Sequence, residues 1–193
     1  MPPANTLADV EEVLDRARRL SGNLRAFKGE GATWEYTFPD GISERYTIAG
    51  GMPIERLMDD VRHVFIWLWA TKDYLKRVAT ARGRDPQIIE NLVDRTPALC
   101  LLADVSNQLK HGELLRHRRT SDNPRLGEPV FTISRDAVGK ISFSAEGITI
   151  EPRESSAVEI SYPVLDESGN VVADAIVLLQ AAIGYWEKTL SEL

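Results

Sequence analysis

The stretch PIERLMDDVRHVFIWLWATKDYLKRVATAR, residues 53–82, decides the fold. Ile54, Leu57, Val61, Val64, Phe65, Leu68, Leu75 and Val78 recur at the three- and four-residue spacings of one helix face. Pro53 suits the first helical position, and Gly83 stands just past the end. At 1.5 Å per residue, such a helix is roughly 45 Å long, enough for the spine of a bundle. A second stripe, Ile66, Trp67, Ala70 and Tyr74, points the other way. A helix apolar on two sides is sandwiched, either inside the bundle or against another subunit. These four residues are therefore the candidate interface.

Working outward, a first helix is expected over 7–20, with Leu7, Val10, Leu14 and Ala17 as its stripe and Gly22 beyond it. Between 32 and 48 the period changes to two. Trp34, Tyr36 and Phe38 alternate with Thr33, Glu35 and Thr37, and Pro39-Asp40-Gly41 supplies the turn of a β-hairpin. Asp85-Pro86 opens a short helix over 86–94, and Thr96-Pro97 opens another over 97–117. From 130 to 165 alternation returns, punctuated by Gly139, Gly147 and Pro152, which predicts a small antiparallel meander. A last helix is expected over 171–191, with Val172, Ile176, Leu179, Ile183, Trp186 and Leu190 on its core face. The expected class is mostly α with a small β part (α+β). It is one domain over 1–193, a bundle of four or five helices with an N-terminal hairpin and a meander before the last helix.

Composition narrows the function. The chain has 193 residues, 43% hydrophobic and 27% charged, with a net charge of −6. No apolar run is long enough for a membrane span, and no secretory leader is visible at the start, so a cytoplasmic protein with no membrane partner is expected. One cysteine, Cys100, excludes an internal disulfide, and three histidines leave little for a metal centre. No metal and no cofactor are expected. An acidic chain is repelled by nucleic acid at long range. The exception is residues 110–125, which hold Lys110, Arg116, Arg118, Arg119 and Arg125 against Glu113 and Asp122. Arg116, Arg118 and Arg119 are the candidate phosphate-binding residues.

The helix after Pro97 holds the segment most able to carry chemistry, Asp104-Val105-Ser106-Asn107-Gln108-Leu109-Lys110-His111. Ala98, Leu101, Leu102, Val105 and Leu109 gather on one face, and Asp104, Asn107 and His111 on an adjoining one, within about 60° of arc. Asn107 and His111 are four residues apart, so their side chains can meet. His111 can act as general acid or base, Asn107 can orient it or hold a substrate oxygen, and Lys110 can stabilise a developing phosphorane. Such a set can cleave RNA without a metal, with the 2′-hydroxyl as nucleophile. Polar residues at these spacings also form local hydrogen-bond ladders that pin one helix to the next.

The Asn-x-x-Lys-His helix in a small bundle resembles the HEPN-like superfamily. The resemblance covers the helices and implies a helical bundle, often homodimeric. Some members are metal-independent ribonucleases of toxin–antitoxin or phage-defence systems, and others are non-catalytic. Their catalytic signature is Arg, four to six residues, then His. Here Asn107 stands at the arginine, with three residues before His111. Arg56 and His63 have the spacing, with Leu57 after the arginine where a polar residue is usual.

Two functions follow. The first is a self-associating interaction or scaffold module, a homodimer in an intracellular bacterial system. The alternative is a metal-independent enzyme acting on RNA or a nucleotide through Asn107, Lys110 and His111. The acidity, the absent arginine and the few histidines weigh toward the first.

Overall fold

A computed structural model describes residues 6–25, 28–112, 118–120 and 123–193. The first element among the described residues is helix α1 (Thr6–Asn23), which runs through Gly22 rather than ending before it; Val10, Leu14 and Ala17 of its stripe are buried, while Leu7 is exposed. The hairpin follows as β1 (Ala32–Thr37) and β2 (Ser43–Ile48). Gly41 takes a φ of 84° in its turn, and the Asp40 carboxylate accepts from the Ile42 N–H at 3.1 Å.

The long helix α2 (Ile54–Ala81) is the spine, packed against α1 and three later helices. Leu57, Val61, Val64, Phe65, Leu68, Leu75 and Val78 are buried, so the periodic face of the sequence is the core face. α3 (Gln87–Arg95) and α4 (Pro97–His111) follow. α4 stops at His111 rather than at 117, because Gly112 turns left-handed with φ 77° and its N–H bonds the Gln108 carbonyl. Residues 113–117 lie outside the described residues.

The α+β class holds, with helices and strands around one hydrophobic cluster. The expected meander, however, is divided among three sheets. β3 (Arg125–Leu126) pairs with β8 (Pro163–Leu165), which pairs in turn with β9 (Val171–Asp174). β4 (Val130–Ile133) pairs with β7 (Val158–Ser161). β5 (Val138–Ser144) and β6 (Gly147–Pro152) form a hairpin that joins the N-terminal one through a parallel β2–β6 contact, in the order β1-β2-β6-β5. Side-chain alternation reveals a strand but not its partner, which is why this pairing is invisible in the sequence.

The last helix, α5 (Ala175–Glu192), begins four residues later than expected. Val171 and Val172 belong to β9 and are exposed, so Val172 is not a core residue. Asp174 explains the boundary. Its carboxylate accepts from the Val177 N–H as the helix cap and from the Tyr162 N–H at 3.1 Å, tying helix start to sheet end. Ile176, Leu179, Ile183 and Trp186 are buried, and Trp186 Nε1 donates to the Leu68 carbonyl at 3.0 Å.

Candidate functional site

Thr96-Pro97 starts α4, whose buried residues are Leu99, Cys100, Leu102, Ala103, Asp104, Val105 and Ser106. Leu102 and Val105 sit on the expected face, while Ala98, Leu101 and Leu109 are only half-buried. Leu99, Ala103 and Ser106 show that the helix is enclosed on a second side as well. Ser106 Oγ donates to the Phe65 carbonyl of α2 at 3.0 Å.

The polar stripe is divided by depth. Asp104 is fully buried. Its two carboxylate oxygens accept from the Arg119 N–H at 3.1 and 3.0 Å. One of them also accepts from the Thr120 N–H at 2.8 Å and the Thr120 hydroxyl at 2.7 Å. A buried carboxylate is costly unless such donors meet it, and here the backbone at 119–120 and the Thr120 hydroxyl supply them. Asn107 is half-buried, and its amide oxygen accepts from Trp69 Nε1 of α2 at 3.1 Å. Lys110 and His111, in the last turn, are exposed.

Trp69 is the centre of a second layer. Lys72 lies over its ring at 4.4 Å and the Arg119 guanidinium at 5.7 Å, both in cation–π geometry. These two cations, joined by Lys76, converge on Glu90 of α3. Lys72 reaches it at 3.0 Å, Lys76 at 2.9 Å and Arg119 at 2.9 Å. Burial acts to raise the Glu90 carboxyl, but hydrogen bonds and charge from Lys76 and Lys72 outweigh it and hold the group down at about 2. Arg119 also pairs with Asp94. Cys100 Sγ donates to the Val93 carbonyl, and burial pushes its thiol up, away from the thiolate a nucleophile needs. Three acids (Glu90, Asp94, Asp104) and three cations (Lys72, Lys76, Arg119) thus join α2, α3, α4 and the 118–120 segment.

Of the candidate phosphate residues, Arg119 is committed to this network, and exposed Arg118 lies 3.4 Å from Glu167. Arg116 lies outside the described residues. On the opposite stripe of α2, Ile66, Trp67, Ala70 and Tyr74 are half-buried beside α1. Arg16 covers the Trp67 ring at 4.9 Å and Arg77 the Tyr74 ring at 5.5 Å, with Asp9, Glu12 and Val13 completing a shallow groove.

Sequence reasoning missed Trp69, Lys72, Lys76, Glu90 and Asp94. Only Asp104 carried a usable signal, as a lone charge inside the apolar run Leu101-Leu102-Ala103-Asp104-Val105. Among the described residues no cluster of three or more His, Cys, Asp or Glu side chains is arranged to hold a metal ion, and no helix is long and apolar enough to cross a membrane. Neither a protein-family model, a curated protein nor a solved structure matches the chain.

Proposed function

We propose that this chain is a HEPN-like helical protein that works as a self-associating interaction module. The observation that carries the reading is an apolar margin left open at the β5 edge of the four-stranded sheet. Ile141 and Phe143, neighbours on one face of the edge strand β5, are exposed there by 51% and 77%. Contiguous exposed apolar surface on a folded chain marks an interaction site. The polar residues of α4 support the same reading from the other side. Asp104 is spent on the 119–120 segment and Asn107 on Trp69, while Arg119 of that segment is spent on Glu90 and Asp94. Groups committed in this way fasten helices together and are not displayed to a ligand. Mass in solution tests the reading: light scattering across a micromolar concentration series is expected to show a dimer of the 21.5 kDa chain, and a monomer throughout would contradict it.

A second reading, metal-independent action on RNA or a nucleotide, rests on the exposure of Lys110 and His111 at the end of α4. It requires RNA cleavage in EDTA that the His111→Ala variant loses. Equal behaviour of the two proteins is the outcome expected here.

A further inference from the structure

We infer that the second copy docks on the outer edge of β5, extending the four-stranded sheet by antiparallel pairing of β5 with β5 about a two-fold axis at Ser142. This rests on the self-association reading above and gives it a place and a register.

Two cross-strand rows lead to that edge. The first runs Trp34, Tyr46, Ile148, Phe143 across β1, β2, β6 and β5. The second runs Ala32, Ile48, Ile150, Ile141. Directly paired residues share a face, so all eight lie on one side of the sheet. At the β1 end the rows are covered. Phe131 of β4 stacks on Trp34 at 5.9 Å, while Ala32 and Ile48 are 0% and 2% exposed. At the β5 end they open, with Ile141 at 51% and Phe143 at 77%. An apolar face that is covered at one margin and bare at the other is incomplete within one chain.

β5 is also an edge strand; among the described residues it pairs only with β6. The Ala145-Glu146 turn between Ser144 and Gly147 sets which backbone groups are free. A two-residue hairpin makes its flanking residues a hydrogen-bonded pair, and the ladder then alternates. Ser144 and Ser142 therefore bond β6, while Ile141 and Phe143 turn their N–H and C=O groups outward. A strand centred on Ser142 opposite itself sets Ile141 against the partner's Phe143, with those outward groups facing each other. It continues both apolar rows without a break.

Charge fits the same register. On the polar face, Lys140 lies opposite the partner's Ser144 and diagonal to the partner's Glu146, and the contact occurs twice. No like charges oppose each other. Ser142 Oγ is sheltered and lacks a hydrogen-bond partner among the described residues, and the axis sets a second Ser142 hydroxyl opposite it. The bulge between Val138 and Lys140 interrupts one end of the strand, but the apolar stretch 141–143 beyond it remains an open edge, an aggregation hazard that closed pairing with a second copy removes.

The test uses the full chain in sedimentation equilibrium, with Phe143→Asp and Trp67→Asp beside wild type. Phe143 is so exposed that its replacement leaves the core intact, and circular dichroism checks this. We expect Phe143→Asp to raise the dimer dissociation constant at least ten-fold and Trp67→Asp to leave it unchanged. Ser142→Cys supplies the register. Opposed cysteines at a non-hydrogen-bonded pair lie within disulfide reach, so this variant is expected to form a cross-linked dimer without reductant, and Lys140→Cys to form none. A dimer that survives Phe143→Asp but is lost in Trp67→Asp overturns the edge and moves the contact to α2, leaving self-association intact. A dimer lost in Phe143→Asp without cross-linking at 142 overturns the register. A monomeric wild type overturns both the edge and the function it rests on.

Discussion

Asn107 and Trp69 are joined across the α2–α4 contact, the amide oxygen accepting from the indole N–H at 3.1 Å. The residue that the sequence offers as an orienting group for His111 is thereby an orienting group for a tryptophan. Trp69→Phe removes the donor while keeping most of the ring. It is expected to cost about 1 kcal/mol in urea unfolding, and Asn107→Ala a similar amount. The double variant should cost less than the sum, since both changes break the same bond.

Asp104 holds the backbone at 119–120 through three donors while fully buried. Asp104→Ala leaves those donors unmet and is expected to destabilise the chain by about 3 kcal/mol. Hydrogen exchange at the Arg119 and Thr120 amides should accelerate in the same variant. Unchanged protection there would show that the carboxylate does not hold the segment.

Glu90 gives the fold an acid-sensitive joint. Its carboxyl sits at about 2 in the folded chain, below the ordinary value of 4.5. A depressed carboxyl stabilises the fold above its unfolded value and loses that contribution as pH falls. Stability should therefore decline as pH drops from 4.5 toward 2, by up to about 3 kcal/mol from this group. Glu90→Gln should be less stable at pH 7 and show a shallower decline across that window.

Gly147 marks where the two hairpins meet. Its φ is 125°, and a Cβ there would lie 2.2 Å from the Arg45 carbonyl oxygen of β2. Gly147→Ala combines backbone strain with a collision against main chain, so a loss of at least about 2 kcal/mol is expected. The loss should appear as exposure of the β2–β6 amides before the helices unfold.

The helices were legible because burial on one side imposes a period that α2 displays over its whole length. Their ends were less so. The helix expected to reach 117 stops before Gly112, and a glycine after Lys110-His111 is itself a stop signal. Asp174 ahead of the apolar run from Ala175 is likewise an N-cap signal, and the helix expected from 171 begins just after it. Strand partners and the depth of polar residues are properties of the assembled chain. Neither the parallel pairing of Tyr46 with Ile148 nor the convergence of Lys72, Lys76 and Arg119 on Glu90 leaves a mark in local spacing.

The mass of the intact chain in solution reads self-association directly. Light scattering at micromolar concentration is predicted to give two 21.5 kDa chains per particle for wild type and one for Phe143→Asp. A single chain per particle for wild type at every concentration would contradict it.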